Sequence, residues 1–301
     1  MSFHVGCRRR QVADATQGVA LPLTLLYPTS APVSPHRFGP YPLELAMDAP
    51  VTGTNLPLVL FSHGNGSTPL THRGLAKHLA RSGFVVALVE HVGNTRGDNR
   101  LAGTAANLQN RPRHVSLALD AAFADPDLGA AIAPGRAGLI GESLGGYTVL
   151  AAAGGKPWCG PQESPDGKPQ PIAVTADPRV HALVLFSPAT PWYLPEGSLA
   201  NVTVPILMRT GDRDDITPAW HGDLVHRDID RTRIDHRIVA NAGHFSFQTP
   251  FPDEMVRPDF PPSQDPPGFD RAGYQTVLLA DVERFLRKNI CCDGDDGSAS
   301  F

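Results

Sequence analysis

Five continuous apolar runs constrain the fold of this chain more than any other feature of it. "LPLVLFSHG" (56–64), "FVVALVEHVG" (84–93), "AGLIGES" (137–143), "VHALVLFSP" (180–188) and "PILMRTGD" (205–212) do not alternate polar with apolar residues. Such runs suit strands covered on both faces, as in a parallel sheet with crossover helices above and below it. Apolar residues at helical spacing fall between them in "LTHRGLAKHLARSG" (70–83), "RPRHVSLALDAAFAD" (111–125) and "SLGGYTVLAAAG" (143–154), and again in the closing "YQTVLLADVERFLRKNI" (274–290). Alternating β and α units predict an α/β fold: one doubly wound, mostly parallel central sheet with helices on both faces. "LPLTLLYP" (21–28) and "YPLELAM" (41–47) are short, Pro-bounded and partly alternating, hence peripheral antiparallel strands. The more polar "RTRIDHRIVANAGH" (231–244) reads as an edge-like last strand.

Two stretches interrupt this rhythm. Residues 154–179 and 249–270 are rich in Pro, and irregular loops of that length in a compact domain are commonly lids or functional insertions. The chain therefore divides into an N-terminal segment (1–17), a single α/β domain (18–290) carrying both lid-like insertions, and a flexible tail (291–301).

"GLIGESLGGY" (138–147) contains a G-x-S-x-G pattern centred on Ser143. Alone it has little force, since roughly one chain in ten of this length shows one by chance. Its context is stronger: a buried strand runs straight into Ser143 and a helix of small and apolar residues follows. A serine on such a turn projects its hydroxyl from the sheet edge, and Gly141 and Gly145 leave room for the tight backbone. The plainer alternative for Ser143 is a helix N-cap. A hydroxyl needs a base and an acid to orient it, arriving in the order serine, acid, histidine on later loops. "GDRDDITP" and "NAGHFSF" supply both. His244, directly after the last strand, is the expected base. Among Asp212, Asp214 and Asp215, Asp214 is preferred because Gly211 and Pro218 bracket it on a strand-to-helix turn, with Asp215 second. The expected oxyanion donors are the amides of Leu144, next to the nucleophile, and Asn65, in the glycine-rich loop after "LVLFSHG".

Together, "VLFSHGNGS", "GFVVALVEHVGNTRGD", "RPRHVSLALDA", "GESLGGY", "GDRDDITP" and "NAGHFSF" resemble the α/β-hydrolase superfamily. Within it they resemble the branch of esterases similar to platelet-activating-factor acetylhydrolases and dienelactone hydrolases, over residues 18–290. The resemblance implies an α/β-hydrolase fold and cofactor-free, metal-free ester hydrolysis. It implies Ser143 as nucleophile, Asp214 as acid, His244 as base, and Asn65 and Leu144 as oxyanion donors. The chain departs from it at two positions: authentic dienelactone hydrolases carry cysteine where Ser143 stands, and branch relatives often carry histidine at Glu142.

Other residues are candidates for the pocket. His63 is expected to brace the oxyanion loop. Glu142 is either substrate-polarising or simply an acid favoured near a helix start. Glu90 and His91 end a strand at the carboxyl edge, where ligands bind in such sheets. Trp158, Trp192 and Tyr193 lie in or near irregular segments and suit lid packing or substrate contact. A net charge of -4 offers no basic field for nucleic acid. No apolar run approaches the roughly 18 to 20 residues that span a bilayer. "MSFHVGCRRRQVAD" has no apolar signal core, which makes the cytoplasm the expected location. Cys7, Cys159, Cys291 and Cys292 suit free thiols rather than a disulfide scaffold, and His221 and His226 are wrongly spaced for a metal. The expected partner is a small or medium ester. An amide or peptide cleaved by the same triad is the alternative, and a non-catalytic binding protein is a third, less favoured one.

Overall fold

The computed structural model describes residues 3–291, so residues 292–301 of the expected tail lie outside the described residues. The strands are β1 (His4–Asp14), β2 (Val19–Thr29), β3 (Ser34–Phe38), β4 (Tyr41–Met47), β5 (Leu56–Ser62), β6 (Val85–Val89), β7 (Ile132–Glu142), β8 (Trp158–Cys159), β9 (Gln170–Pro171), β10 (Val180–Phe186), β11 (Ile206–Gly211) and β12 (Ile234–Val239). Among the described residues ten of them form one sheet, in the order β12-β11-β10-β7-β5-β6-β2-β1-β4-β3, while β8 and β9 make a separate small hairpin. The six strands from β12 to β6 run parallel to their neighbours. β2 joins them antiparallel through β6, and β1 pairs antiparallel along the length of β2.

The burial of each strand explains its sequence. β5 and β6 are buried at every residue, and β12, at the edge, is buried only at Val239. Alternate residues serve opposite faces. Leu58 and Leu60 belong to the core beneath α2 (Ala105–Phe123), α3 (Leu144–Ala152) and α4 (Trp220–Asp228), with Leu119, Val149 and Val225. Val59 and Phe61 belong to the opposite core, with Leu79 of α1 (Arg73–Arg81) and Val282 of α5 (Arg271–Ile290). This is the predicted α/β architecture.

Two boundaries differ from expectation. The sheet takes in β1, ahead of residue 18, where the sequence pattern sets the start of the domain. Helix α2 begins at Ala105, not near Arg111: the Thr104 hydroxyl accepts the Asn107 amide at 3.1 Å and caps it. Pro112 lies inside the helix and cannot donate to Leu108 four residues back. The Tyr147 hydroxyl of α3 donates to that carbonyl at 3.0 Å instead, so the helix survives its proline by tying itself to the next one.

Candidate active site

The carboxyl ends of the parallel strands converge on Ser143. It sits between β7 and α3 at φ +52° and ψ −119°, a backbone conformation that costs a non-glycine residue of order 1–3 kcal/mol. Its surroundings hold it there: its amide donates to Phe186 O at 3.0 Å, and its carbonyl accepts Gly146 and Ala189 amides at 2.8 and 2.9 Å. A Cβ on Gly141 would strike the Gly145 carbonyl, and one on Gly145 would strike the Ser62 carbonyl, so both glycines flanking the serine are sterically required.

Asp214 follows β11 and His244 follows β12. The His244 Nδ1–H donates to Asp214 Oδ2 at 2.9 Å and lies 3.1 Å from Oδ1. The carboxylate also accepts the amides of Ile216 and Thr217, at 3.0 and 2.7 Å, and the Thr217 hydroxyl, at 2.8 Å. Burial by itself raises the Asp214 carboxyl, but the hydrogen bond and charge of His244, joined by these donors, hold it down at about 2. Asp212 and Asp215 are exposed, whereas Asp214 is buried, and of the three it is Asp214 that meets the imidazole. Thr217, which the sequence reading missed, completes the setting; its place three residues after Asp214 in an Asx-like turn is the signal that could have found it.

Ser143 and His244 line one cavity of about 310 Å³. With Nδ1 committed to Asp214, Nε2 is the imidazole nitrogen left for chemistry. Asn65 lines the cavity as well, and neither its amide nor that of Leu144 donates to a protein acceptor among the described residues. Leu144 is the first residue of α3, where amides have no intrahelical acceptor. Two unspent N–H donors therefore flank the serine.

Behind this loop lies a group no sequence pattern announced. Arg111 of α2 is fully buried, and among the described residues no carboxylate pairs with it. Its Nη2 donates to the His63 carbonyl and, at 3.4 Å, to Ser62 Oγ. Nη1 donates to Asn94 Oδ1 at 2.6 Å, and the Asn94 amide in turn donates to Asn65 Oδ1 at 2.7 Å. Nε donates to Thr148 Oγ1 at 2.9 Å, and that hydroxyl donates to the Leu144 carbonyl at 2.9 Å. One guanidinium thus reaches both donor-bearing residues. Burial pulls its pKa down to about 9, which leaves it charged at neutral pH.

The other candidates separate. His63 turns away from the cavity: its Nδ1–H donates to Gly64 O at 2.8 Å and its Nε2 accepts the His91 amide at 3.2 Å. Burial, then Arg111, push it to about 3, so it is a neutral brace. His91 is buried against Ser62 and His114, and Glu90 is a half-buried carboxyl raised by burial; neither lines the cavity, contrary to expectation. Trp158 is 39% exposed on β8, away from Ser143, because the hairpin with β9 carries it outward. Trp192 does come close, on the far side of Ser143. Glu142 lines the cavity, held by Gln248 Nε2 at 2.5 Å and facing His72 Nε2 at 3.2 Å; although burial opposes it, His72 keeps this carboxyl below its ordinary range. Tyr41, Phe251 and Phe260 complete the wall, the last two from the 249–270 insertion, with Arg96 at the rim.

Residues 39–99, which hold the Asn65 loop, match the sequence family described as platelet-activating factor acetylhydrolase, isoform II. No curated protein sequence matches the chain significantly. Among solved structures it is similar to a dienelactone hydrolase from Anabaena variabilis, with a TM-score of 0.55 and 18% identity over 95% of this chain and 99% of that one. The fold is that of the α/β-hydrolases. In all, 823 solved chains match this one, and so widely used a scaffold does not choose a reaction. The site must do so. No helix among the described residues is long and apolar enough to cross a membrane.

Proposed function

We propose that this protein is a serine carboxylester hydrolase that works through an acyl-enzyme. The observation that carries the proposal is the joint one at Ser143: a strained serine on a strand-to-helix turn shares a cavity with an imidazole whose far nitrogen is fixed by a buried carboxylate. His244 Nε2 takes the Ser143 proton as Oγ attacks the acyl carbon, and Asp214 stabilises the imidazolium that forms. The Asn65 and Leu144 amides receive the negative charge that develops on the carbonyl oxygen. The imidazolium protonates the departing alkoxide, and a water activated by the same nitrogen then cleaves the acyl-enzyme. A cavity of about 310 Å³ with aromatic walls fits a small or medium ester.

A fluorophosphonate probe with p-nitrophenyl esters tests this. Wild type should be labelled once at Ser143 and should turn the esters over; Ser143→Ala should lose labelling and about a millionfold in kcat. Equal labelling of the two proteins would remove Ser143 from its role.

A further inference from the structure

Ser143 lies between two cavities. Besides the 310 Å³ cavity that holds His244, a second of about 240 Å³ opens on its other side, walled by Leu108, Leu144, Ala189 and Trp192. Ser143 and Asn65 line both; His244 lines only the first and Leu144 only the second. The side chain of Trp192 is fixed. Its indole N–H donates to both oxygens of Glu163, at 2.8 and 2.9 Å, and its ring meets Tyr147 edge-on at 4.8 Å. Glu163 comes from the 154–179 insertion, and its own carboxylate also accepts the Gly160 amide at 2.8 Å. That insertion therefore closes the second cavity as the 249–270 insertion, through Phe251 and Phe260, closes the first.

We propose that the two cavities are separate subsites: the Trp192 cavity receives the acyl chain, and the cavity walled by Phe251 and Phe260 receives the alcohol. The assignment rests on the esterase reading above and follows from where the proton must go. When Ser143 Oγ bonds the acyl carbon, three other substituents surround that carbon. The oxyanion faces the Asn65 and Leu144 amides. The leaving oxygen must take its proton from His244 Nε2, so the alcohol occupies the side where His244 stands. The acyl chain takes the remaining direction, into the cavity from which His244 is absent. As the carbon–alkoxide bond breaks, the proton that left Ser143 Oγ passes from Nε2 to the alcohol, which departs. Water then enters the vacated side and its proton passes to Nε2 as its oxygen bonds the acyl carbon. The Oγ–carbon bond breaks, Oγ regains the proton and the acid leaves. The acyl chain never moves between these steps, which suits the smaller, braced cavity, whereas alcohol and water exchange through the other.

The substrate class implied is an ester whose acyl chain is limited by a fixed indole and whose alcohol is apolar or aromatic, facing Phe251, Phe260 and Tyr41. Two ester series separate the subsites: p-nitrophenyl esters of graded acyl length, and acetates of methyl, benzyl and naphthylmethyl alcohols. Rankings within one protein are compared, so partial misfolding cancels. Trp192→Ala should raise kcat/KM for acyl chains beyond the wild-type optimum, relative to acetate, by about 10-fold or more, with the alcohol ranking kept. Ala189→Val should shorten the acyl optimum. Phe260→Ala should lower the benzyl-to-methyl ratio by about 10-fold with the acyl ranking kept. An exchanged pattern, or both rankings shifting together in either variant, overturns the assignment and leaves the esterase reading intact. A folded wild type that cleaves no ester in either series overturns that reading, and the assignment with it.

Discussion

Two clusters built around buried histidine flank Ser143, and they are built on opposite principles. In front, His244 has a carboxylate on Nδ1 and an open nitrogen toward the cavity. Behind, His63 and His91 lie beside Arg111, partnered by backbone, a hydroxyl and a neighbouring ring, while His114, stacked on His91, meets Gln17 at 2.9 Å and the Asp14 carboxylate at 3.3 Å. Burial, joined by the Arg111 guanidinium, takes His63 to about 3, and burial outweighs the Asp14 carboxylate to take His114 to about 4, so these rings stay neutral. Burial alone, then, does not make a histidine a base. A negative partner on one nitrogen and a vacant second nitrogen facing a cavity do, whereas a buried ring with both nitrogens engaged, as in all three rear histidines, serves as a brace.

The largest test of that contrast lies in front. His244→Ala should cost about a millionfold in kcat and Asp214→Asn about ten-thousandfold, the second because an amide can leave the imidazole in the wrong tautomer. His63→Gln should cost far less than either. Comparable losses at His63 and His244, measured as kcat with active-site titration, would abolish the distinction between base and brace.

Next in size is the guanidinium. If Arg111 aligns the Asn65 and Leu144 amides through His63 O, Asn94 and Thr148, then Arg111→Met should behave like removal of an oxyanion donor, with kcat down about a hundred- to a thousandfold and KM little changed. Arg111→Lys should recover only part of this, since an ammonium keeps the charge but not the planar fork. A purely structural role predicts instead fewer titratable sites with normal kcat per site, and that outcome would sink the alignment idea.

These contrasts were unevenly legible in the sequence. The sheet's centre was readable because β5 and β6 are buried on both faces, and a continuous apolar run records this directly. β1 was not, because Arg8, Arg9 and Arg10 interrupt it: Arg8 and Arg10 meet Asp127 at 3.1 and 2.7 Å, and Arg9 lies over the Phe38 ring. Their partners are far along the chain, so local pattern shows only a basic cluster. Ser143, Asp214 and His244 could be singled out together because each follows a strand at the same sheet edge. Arg111 escaped notice for the converse reason: its acceptors are carbonyl, amide and hydroxyl groups spread from residue 62 to residue 148, and none carries a charge that marks the pairing. Trp158 was misplaced because a composition rich in Pro and Gly announces an insertion without saying which way it points.

The smallest expected effect separates the clusters by pH. A histidine that stays neutral in the folded chain, as His114 does down to about 4, is protonated in the unfolded chain below roughly 6.5. Between these values the unfolded state binds the extra proton, so stability is present above about 6.5 and falls as pH drops through that window, by about 1 kcal/mol per pH unit for each such ring. Asp214 acts in a lower window: with its carboxyl lowered from 3.8 to about 2, its contribution is complete above the first value and is lost only as pH falls between them. Urea unfolding at pH 7, 5.5 and 4.5 should therefore show a shallower decline for His114→Asn than for wild type, and for Asp214→Asn a decline parallel to wild type until pH drops below about 4. If instead Asp214→Asn flattened the curve between pH 6.5 and 4.5 and His114→Asn left it unchanged, the front cluster rather than the rear would hold the acid-sensitive protons, and the neutral brace behind the Asn65 loop would have to be abandoned.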